Sequence, residues 1–260
     1  MLNPDTRVAI CCYSGDQHQV ADNLDMFKHH ECPIVVLSPI DAPAQVLGVE
    51  NRSAGPNEYI GIKCLERMRE HLKILLTYRE NFFLIHDADS MCLSPQLPDY
   101  LYAESDVLWC NLIQNNTPQQ QAFFPPDMPR IAFQPPWFMS RKTIETLLSV
   151  DVVPNPDMLM IDYWLVQLAV KAGLKWKGFP GAFSFPTYEP FWFGAAWDAV
   201  RYRGATFAHA VKSREVCTTL QAAHKSFLND GEHWSLPPRQ SPRQRRPPQA
   251  ARTRGKGVRA

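Results

Sequence analysis

The chain has 260 residues, 45% hydrophobic and 20% charged, with 14 Phe, 7 Trp and 8 Tyr. That composition excludes the fibrous and membrane-embedded classes and suits one large α/β domain, with or without a small addition. The formal charge of +1 hides an asymmetry: residues 237–260 carry eight Arg or Lys and no acid, which leaves 19 bases against 26 acids in residues 1–236.

Val8 to Tyr13 is a short apolar run that closes in Ser14, Gly15 and Asp16, and it predicts a buried strand running into a turn. Val20, Leu24 and Phe27 follow at helical spacing. Ile34 to Leu37 reads as a second buried strand, stopped by Ser38 and Pro39. Residues 41–57, with Pro43, Gly48, Gly55 and Pro56, read as loop. From about Tyr59 to Tyr78 the spacing is helical, with Ile62, Leu65, Met68, Leu72, Leu75 and Leu76 near one face. Glu66 and Glu70 are assigned, together with Arg67, Arg69 and Lys73, to its wet face.

Phe82 to Ile85 predicts a third buried strand, whose end delivers His86, Asp87 and Asp89. Val107 to Leu112 predicts a fourth. Residues 114–136, rich in Gln, Asn and Pro, read as a long irregular loop, followed by the short apolar Trp137 to Met139. Ser140 is placed to open a helix through Leu148, and Met158 to Ala172 forms another, ended by Gly173. Residues 176–210 are aromatic and rich in Gly and Pro. The folded part is expected over 1–236, and 237–260 reads as a basic, disordered tail.

Strands alternating with helices predict an α/β fold: a single Rossmann-like domain with a mostly parallel central sheet. Ligands of such sheets sit at the C-terminal ends of the strands, where both Ser14–Asp16 and Asp87–Asp89 fall. The seven cysteines lack any Cys-x-x-Cys and sit mostly in apolar runs, so they read as free thiols of a reducing compartment. The N-terminus lacks a signal-peptide pattern and no apolar run reaches membrane-span length, so a cytoplasmic protein is expected.

Two carboxylates at i and i+2 offer hard oxygen ligands to Mn²⁺ or Mg²⁺, and such an ion neutralises a departing diphosphate. With 15 Asp in the chain, about one Asp-x-Asp is expected by chance. The argument therefore rests on position: the chain's single pair, Asp87 and Asp89, directly follows its most apolar strand.

The order of features resembles the nucleotide-sugar glycosyltransferases with the A-type, metal-dependent fold. Four segments carry the resemblance over about residues 7–213: Phe82 to Asp89, Trp137 to Leu148, Asp157 to Ala169, and Ala208 to Ser213 with its His-x-x-Lys. The resemblance implies that Asp89 binds the metal and that Asp87 binds the metal or the donor's ribose and sugar. It implies that His209 is a further metal ligand, with Lys212 near the diphosphate and Ser14 and Asp16 at the nucleotide. The segment from Trp137 to Leu148 would shape the acceptor side. Asp162, a carboxylate early in an apolar helix, is the acid/base candidate, with Asp157 as the alternative and the expected cap. Trp192 is the expected exposed stacking residue of the cluster Trp137, Trp164, Trp176, Trp192 and Trp197.

The implied donor is a nucleoside-diphosphate sugar such as a UDP-sugar. The basic tail suggests a DNA acceptor, such as hydroxymethylated pyrimidines in a phage-type genome. The other acceptor is a saccharide, as in surface polysaccharide assembly. A nucleotidyltransferase shares the sheet and the carboxylates but brings a Gly-rich phosphate loop, and here only Gly15 follows the first strand. A non-catalytic nucleic-acid-binding protein working through the tail is the third class. Nothing in the sequence implies a specific protein partner.

Overall fold

Strands buried on both faces need apolar side chains at successive positions, and three such runs build the centre of this molecule. β1 (Thr6–Cys11), β2 (Ile34–Ser38) and β4 (Phe82–Asp87) are parallel, with Val8 of β1 level with Ile34 on one side and Leu84 on the other. The computed structural model describes residues 5–12, 19–21, 24, 32–57, 62–92, 99–114, 131–151, 161–179, 182–184, 207–209 and 218.

The remaining elements are β3 (Glu50–Ser53), helix α1 (Ile62–Leu76), β5 (Met91–Cys92), α2 (Tyr100–Ala103), β6 (Val107–Gln114), β7 (Ile131–Ser140), α3 (Arg141–Leu148), α4 (Ile161–Lys171), β8 (Lys175–Gly178), β9 (Ala182–Ser184) and β10 (Phe207–His209). Seven strands form the main sheet in the order β3-β2-β1-β4-β7-β6-β8. The sheet is mostly parallel, but β7 runs against both of its neighbours. β5, β10 and β9 make a second, three-stranded sheet.

Both faces of the main sheet are covered. Ala9, Leu37, Phe83 and Ile85 pack under α1, α3 and α4. Val8, Ile10, Val36 and Leu84 pack on the other face with Val20, Leu24 and Leu101, the first two from the helical residues 19–21 and 24.

Ser140 caps α3 as its position predicts: its Oγ accepts from the Thr143 amide at 3.1 Å. Gly173 ends α4 at φ +64°, where the Leu174 amide reaches back to the Ala169 carbonyl at 3.0 Å.

Three expectations fail for physical reasons. Residues 50–53 are a strand, not loop. Glu50, Asn51, Arg52 and Ser53 alternate exposed and half-buried at the sheet edge, so no apolar run announces them. Residues 131–136 are also strand, although Pro135 and Pro136 argue against it. The prolines are tolerated because the β6–β7 ladder breaks there, pairing Cys110 with Trp137 but Asn111 with Gln134. The Trp137 indole donates to the Phe133 carbonyl at 2.8 Å and closes the bulge. Third, Arg67 is 3% exposed, so the wet face assigned to it is wrong. For 176–210 the composition gave no element, and among the described residues β9, β10 and most of β8 fall there. The domain boundary at 236 and the tail lie outside the described residues.

The edge of the sheet where β1 and β4 begin is tied by charge. Arg7 donates two hydrogen bonds to Glu80, at 3.1 and 3.2 Å, and its guanidinium lies 3.7 Å from the Tyr78 ring centre. Burial alone would raise the Glu80 carboxyl, but the Arg7 bonds hold it below its usual range. Arg141 donates to the Leu76, Tyr78 and Glu80 carbonyls, binding the C-terminal end of α1 to the start of α3. Ser140 is level with Phe82, the first residue of β4. The Ser140–Arg141 step, expected to shape an acceptor side, therefore serves the edge remote from Asp87.

Glu80→Ala strands Arg7, whose side chain is only 11% exposed. Glu50 at 3.6 Å is its remaining acid. The expected loss is about 2–3 kcal/mol, at the low end for breaking a buried pair, read as a lowered urea midpoint with unchanged slope.

Candidate functional site

Strand order fixes where a site can form. From β1 the chain moves outward to β2 and β3, then crosses back to place β4 on the other side of β1. The C-terminal ends of β1 and β4 therefore diverge in their connections and leave a crevice, the usual ligand position in an open α/β sheet. Cys11 and Asp87 are directly level there.

A cleft enclosing about 540 Å³ of empty space, its open mouth included, occupies this position on the α1 side. Its strand wall includes Cys11, Ile85 and Asp87. Its helix wall includes Cys64, Arg67 and His71 of α1 and Ile161 of α4. Most of the lining is apolar, so the few polar groups act in a medium that screens them weakly.

α1 supplies those groups by its period. Cys64, Arg67 and His71 lie three and seven residues apart, one lane of the helix, beside the apolar lane of Leu65, Met68, Leu72 and Leu75. Sequence reading missed this polar lane. The usable signal was that Arg67 and His71 each precede a core residue, which puts them on the flank of the buried stripe.

Gly55 fixes the height of the helix. At φ +73° it lies against the Arg67 backbone, and an added Cβ would meet the Arg67 Cα at 2.6 Å. Arg67 also donates from Nη2 to Cys64 Sγ at 3.6 Å.

Burial and neighbouring charges set the protonation of the groups in and around the cleft. Burial raises the Cys64 thiol to about 11, with Arg67 opposing and both Asp162 and Asp87 adding to the rise. Burial also raises the Cys11 thiol well above its usual range; Asp87 adds to this and Arg67 opposes it. Both thiols stay protonated at neutral pH, which excludes them as ready nucleophiles. Burial and then Arg67 push the His71 imidazole down to about 4. Its Nε2 lies 3.3 Å from the Ser38 carbonyl, so the neutral ring donates there, and Nδ1 faces Cys11 Sγ at 4.0 Å.

The expected residues distribute unevenly. Asp87 ends β4 and lines the cleft. Asp162, in the first turn of α4, acts on the same Cys64 thiol as Asp87, so the structure brings these two carboxylates to one region. Asp89 follows in a turn closed by the Ser90 amide on the Asp87 carbonyl at 3.0 Å, and its Oδ1 is buried. Ser90 is 1% exposed, and among the described residues its Oγ has no hydrogen-bond partner. β10 is antiparallel to β5 with Ala208 level with Met91, so β10 runs on at His209 toward the side of β5 from which the Asp87–Ser90 turn enters. The His209 side chain, and all of Ser14, Asp16, Asp157, Lys212 and Trp192, lie outside the described residues. Trp137 and Trp164 are core, 4% and 0% exposed, and Trp176 packs on Phe133 at 5.6 Å.

Asp87, Asp89 and Ser90 offer hard oxygens, a donor set suited to Mg²⁺ or Mn²⁺ and not to a thiophilic ion. Among the described residues no group of three or more His, Cys, Asp or Glu is arranged to hold a metal.

No protein-family model matches the chain, and no curated protein matches it significantly. Among the described residues no helix is long and apolar enough to cross a membrane.

His71 makes stability depend on pH. The unfolded imidazole takes up a proton below about 6.5, whereas the native ring stays neutral down to about 4. Its contribution is therefore complete above pH 6.5 and is lost as pH falls from 6.5 to 4, by up to roughly 3 kcal/mol. Urea unfolding at pH 7 and pH 4.5 should show a smaller pH effect in His71→Gln than in the parent; an equal effect would move the titration elsewhere.

Proposed function

We propose that the protein is a metal-dependent glycosyltransferase of the A-type fold, moving a sugar from a nucleoside-diphosphate sugar to an acceptor hydroxyl. One observation carries the reading. The Asp87–Asp89 turn leaves β4 at the point where the strand order reverses, and β10 runs on at His209 toward the side of β5 from which that turn enters. A random Asp-x-Asp has no reason to fall at the one crevice that the topology opens. The seven-stranded sheet with a reversed β7 and a small second sheet supplies an α/β framework compatible with that fold.

In this reading Asp89 holds the ion, with Asp87 and His209 as further candidates, and a bound Mn²⁺ or Mg²⁺ supplies charge neutralisation for the departing diphosphate. Ser14 and Asp16, in the segment after β1, meet the nucleotide, and Lys212 meets the diphosphate. Asp162 accepts the acceptor's hydroxyl proton as that oxygen bonds the sugar's anomeric carbon, and the nucleoside diphosphate leaves with the electron pair of the broken bond. An apolar cleft beside the reacting groups favours transfer over hydrolysis by limiting water.

Incubation with Mn²⁺ and a panel of nucleoside-diphosphate sugars should release the diphosphate from at least one donor. Asp89→Ala should lower that release by at least about 100-fold while leaving the far-UV spectrum intact. A folded parent that turns over no donor would sink the reading.

The acceptor is the open term. The eight cations of residues 237–260 favour a polyanion, and hydroxymethylated pyrimidine in DNA unites that charge with a hydroxyl acceptor. Removing residues 237–260 should weaken DNA binding and flatten its dependence on salt, measured by fluorescence anisotropy at several KCl concentrations. Unchanged binding leaves a saccharide acceptor as the better choice. DNA binding without turnover of any donor points instead to a non-catalytic nucleic-acid-binding protein.

A further inference from the structure

Arg67 is 3% exposed, and an arginine is rarely buried this deeply without an opposing charge. It lines the same cleft as Asp87, and among the described residues of that lining these two carry the charges, with His71 beside them. One guanidinium and one carboxylate share a poorly screened space, which favours Arg67 as an internal counter-ion over an anion-binding group.

Its placement is enforced from both sides. Gly55 sits against its backbone, and Cys64 one turn earlier accepts from its guanidinium. A side chain held this way acts on what is already inside the protein. Asp89 is absent from the cleft lining; its Oδ1 is buried beyond the turn, next to Ser90.

We infer that Arg67 is a positioning residue that divides the Asp-x-Asp pair: it engages Asp87 as an internal counter-ion in the cleft and leaves Asp89 as the carboxylate that meets the divalent cation. The second half of this statement rests on the glycosyltransferase reading; the first does not. The division has a consequence for order of binding. With Asp87 neutralised by Arg67, few charges remain for a bare ion, and the donor's diphosphate completes its ligand set. The ion should bind weakly alone and tightly with nucleotide.

Two readouts test the two halves. The first is a thermal double-mutant cycle on the full chain with Arg67→Met, Asp87→Asn and the double variant. Arg67→Met should lower Tm by about 6–10 °C in the parent and by less than about half of that in the Asp87→Asn background, because the stranded carboxylate is then gone. Equal losses in the two backgrounds overturn the counter-ion role. If Arg67→Met does not fold, Arg67→Lys and Arg67→Lys/Asp87→Asn supply the cycle: a smaller loss in the Asp87→Asn background supports it, and equal losses overturn it.

The second readout is Mn²⁺ titration by electron paramagnetic resonance without nucleotide. Releasing Asp87 should tighten Mn²⁺ about 10-fold in folded Arg67→Met, whereas Arg67→Lys should stay within about threefold of the parent. A merely structural role would loosen the ion or leave it unchanged, and either result overturns the division of the pair. Asp89→Ala should lose Mn²⁺ in both the parent and the Arg67→Met background; retention in the latter overturns the division as well. A parent that binds no Mn²⁺ even with nucleoside diphosphate, together with a positive thermal cycle, removes the glycosyltransferase reading and keeps the counter-ion.

Discussion

The parallel pairing of β1 with β4 is the constraint on which the rest depends. It makes two chain segments 76 residues apart run side by side in register, Thr6 with Phe82 and Cys11 with Asp87. Their connections leave in opposite directions, so their C-terminal ends cannot be closed by one another. The opposite edge has no such gap, and there the chain places its tightest charge cluster, Arg7 with Glu80 and Arg141 with three carbonyls. Ion pairs at that edge satisfy each other. Charges at the β4 end line a cleft and are shared with it. One sheet thus separates a stabilised edge from a chemically open one.

Burial explains why the open edge has few reactive candidates despite its thiols. Cys11 and Cys64 sit where a nucleophile could work, yet the low-dielectric wall that makes the cleft also keeps them protonated. His71 is likewise held neutral and spent on the Ser38 carbonyl, where it ties α1 to the end of β2. The groups left for chemistry are carboxylates. That outcome follows from the sheet and α1 alone, before any analogy with a family is used.

What the sequence made legible follows from how local each signal is. Val8–Cys11, Ile34–Leu37 and Phe82–Ile85 are apolar at successive positions and could only be buried strands. α3 carried its own cap in Ser140, and α4 its own stop in Gly173. Elements defined by a partner were illegible. β3 is a polar edge strand that exists because β2 offers it a ladder. The prolines of β7 hid six strand residues because their tolerance depends on a bulge against β6. Arg67 looked like a wet-face cation because ion-pair spacing with glutamates is visible in one helix, whereas the cleft above β1 and β4 is not. The crevice itself was half legible: strand order fixes it, but only the alternation of strands and helices could be read.

The Asp-x-Asp spacing was the most visible motif and the easiest to over-read. In an uninterrupted strand, residues two apart share a face, and the two carboxylates would be equivalent. Here the strand ends at Asp87, and the turn closed by the Ser90 amide intervenes before Asp89 can share its alternation. Asp87 keeps the side of the sheet that Phe83 and Ile85 share beneath α1, and it lines the same cleft as the buried cation of that helix. Asp89 enters the step toward β5, and β10 runs on at His209 toward that side. The same three residues therefore feed two environments, one set by a helix from the first half of the chain and one by a strand from near its end. A short motif acquires its chemistry from where the strand stops, and in this chain that stopping point falls between Asp87, which lines the cleft beneath α1, and Asp89, whose buried Oδ1 lies outside that lining.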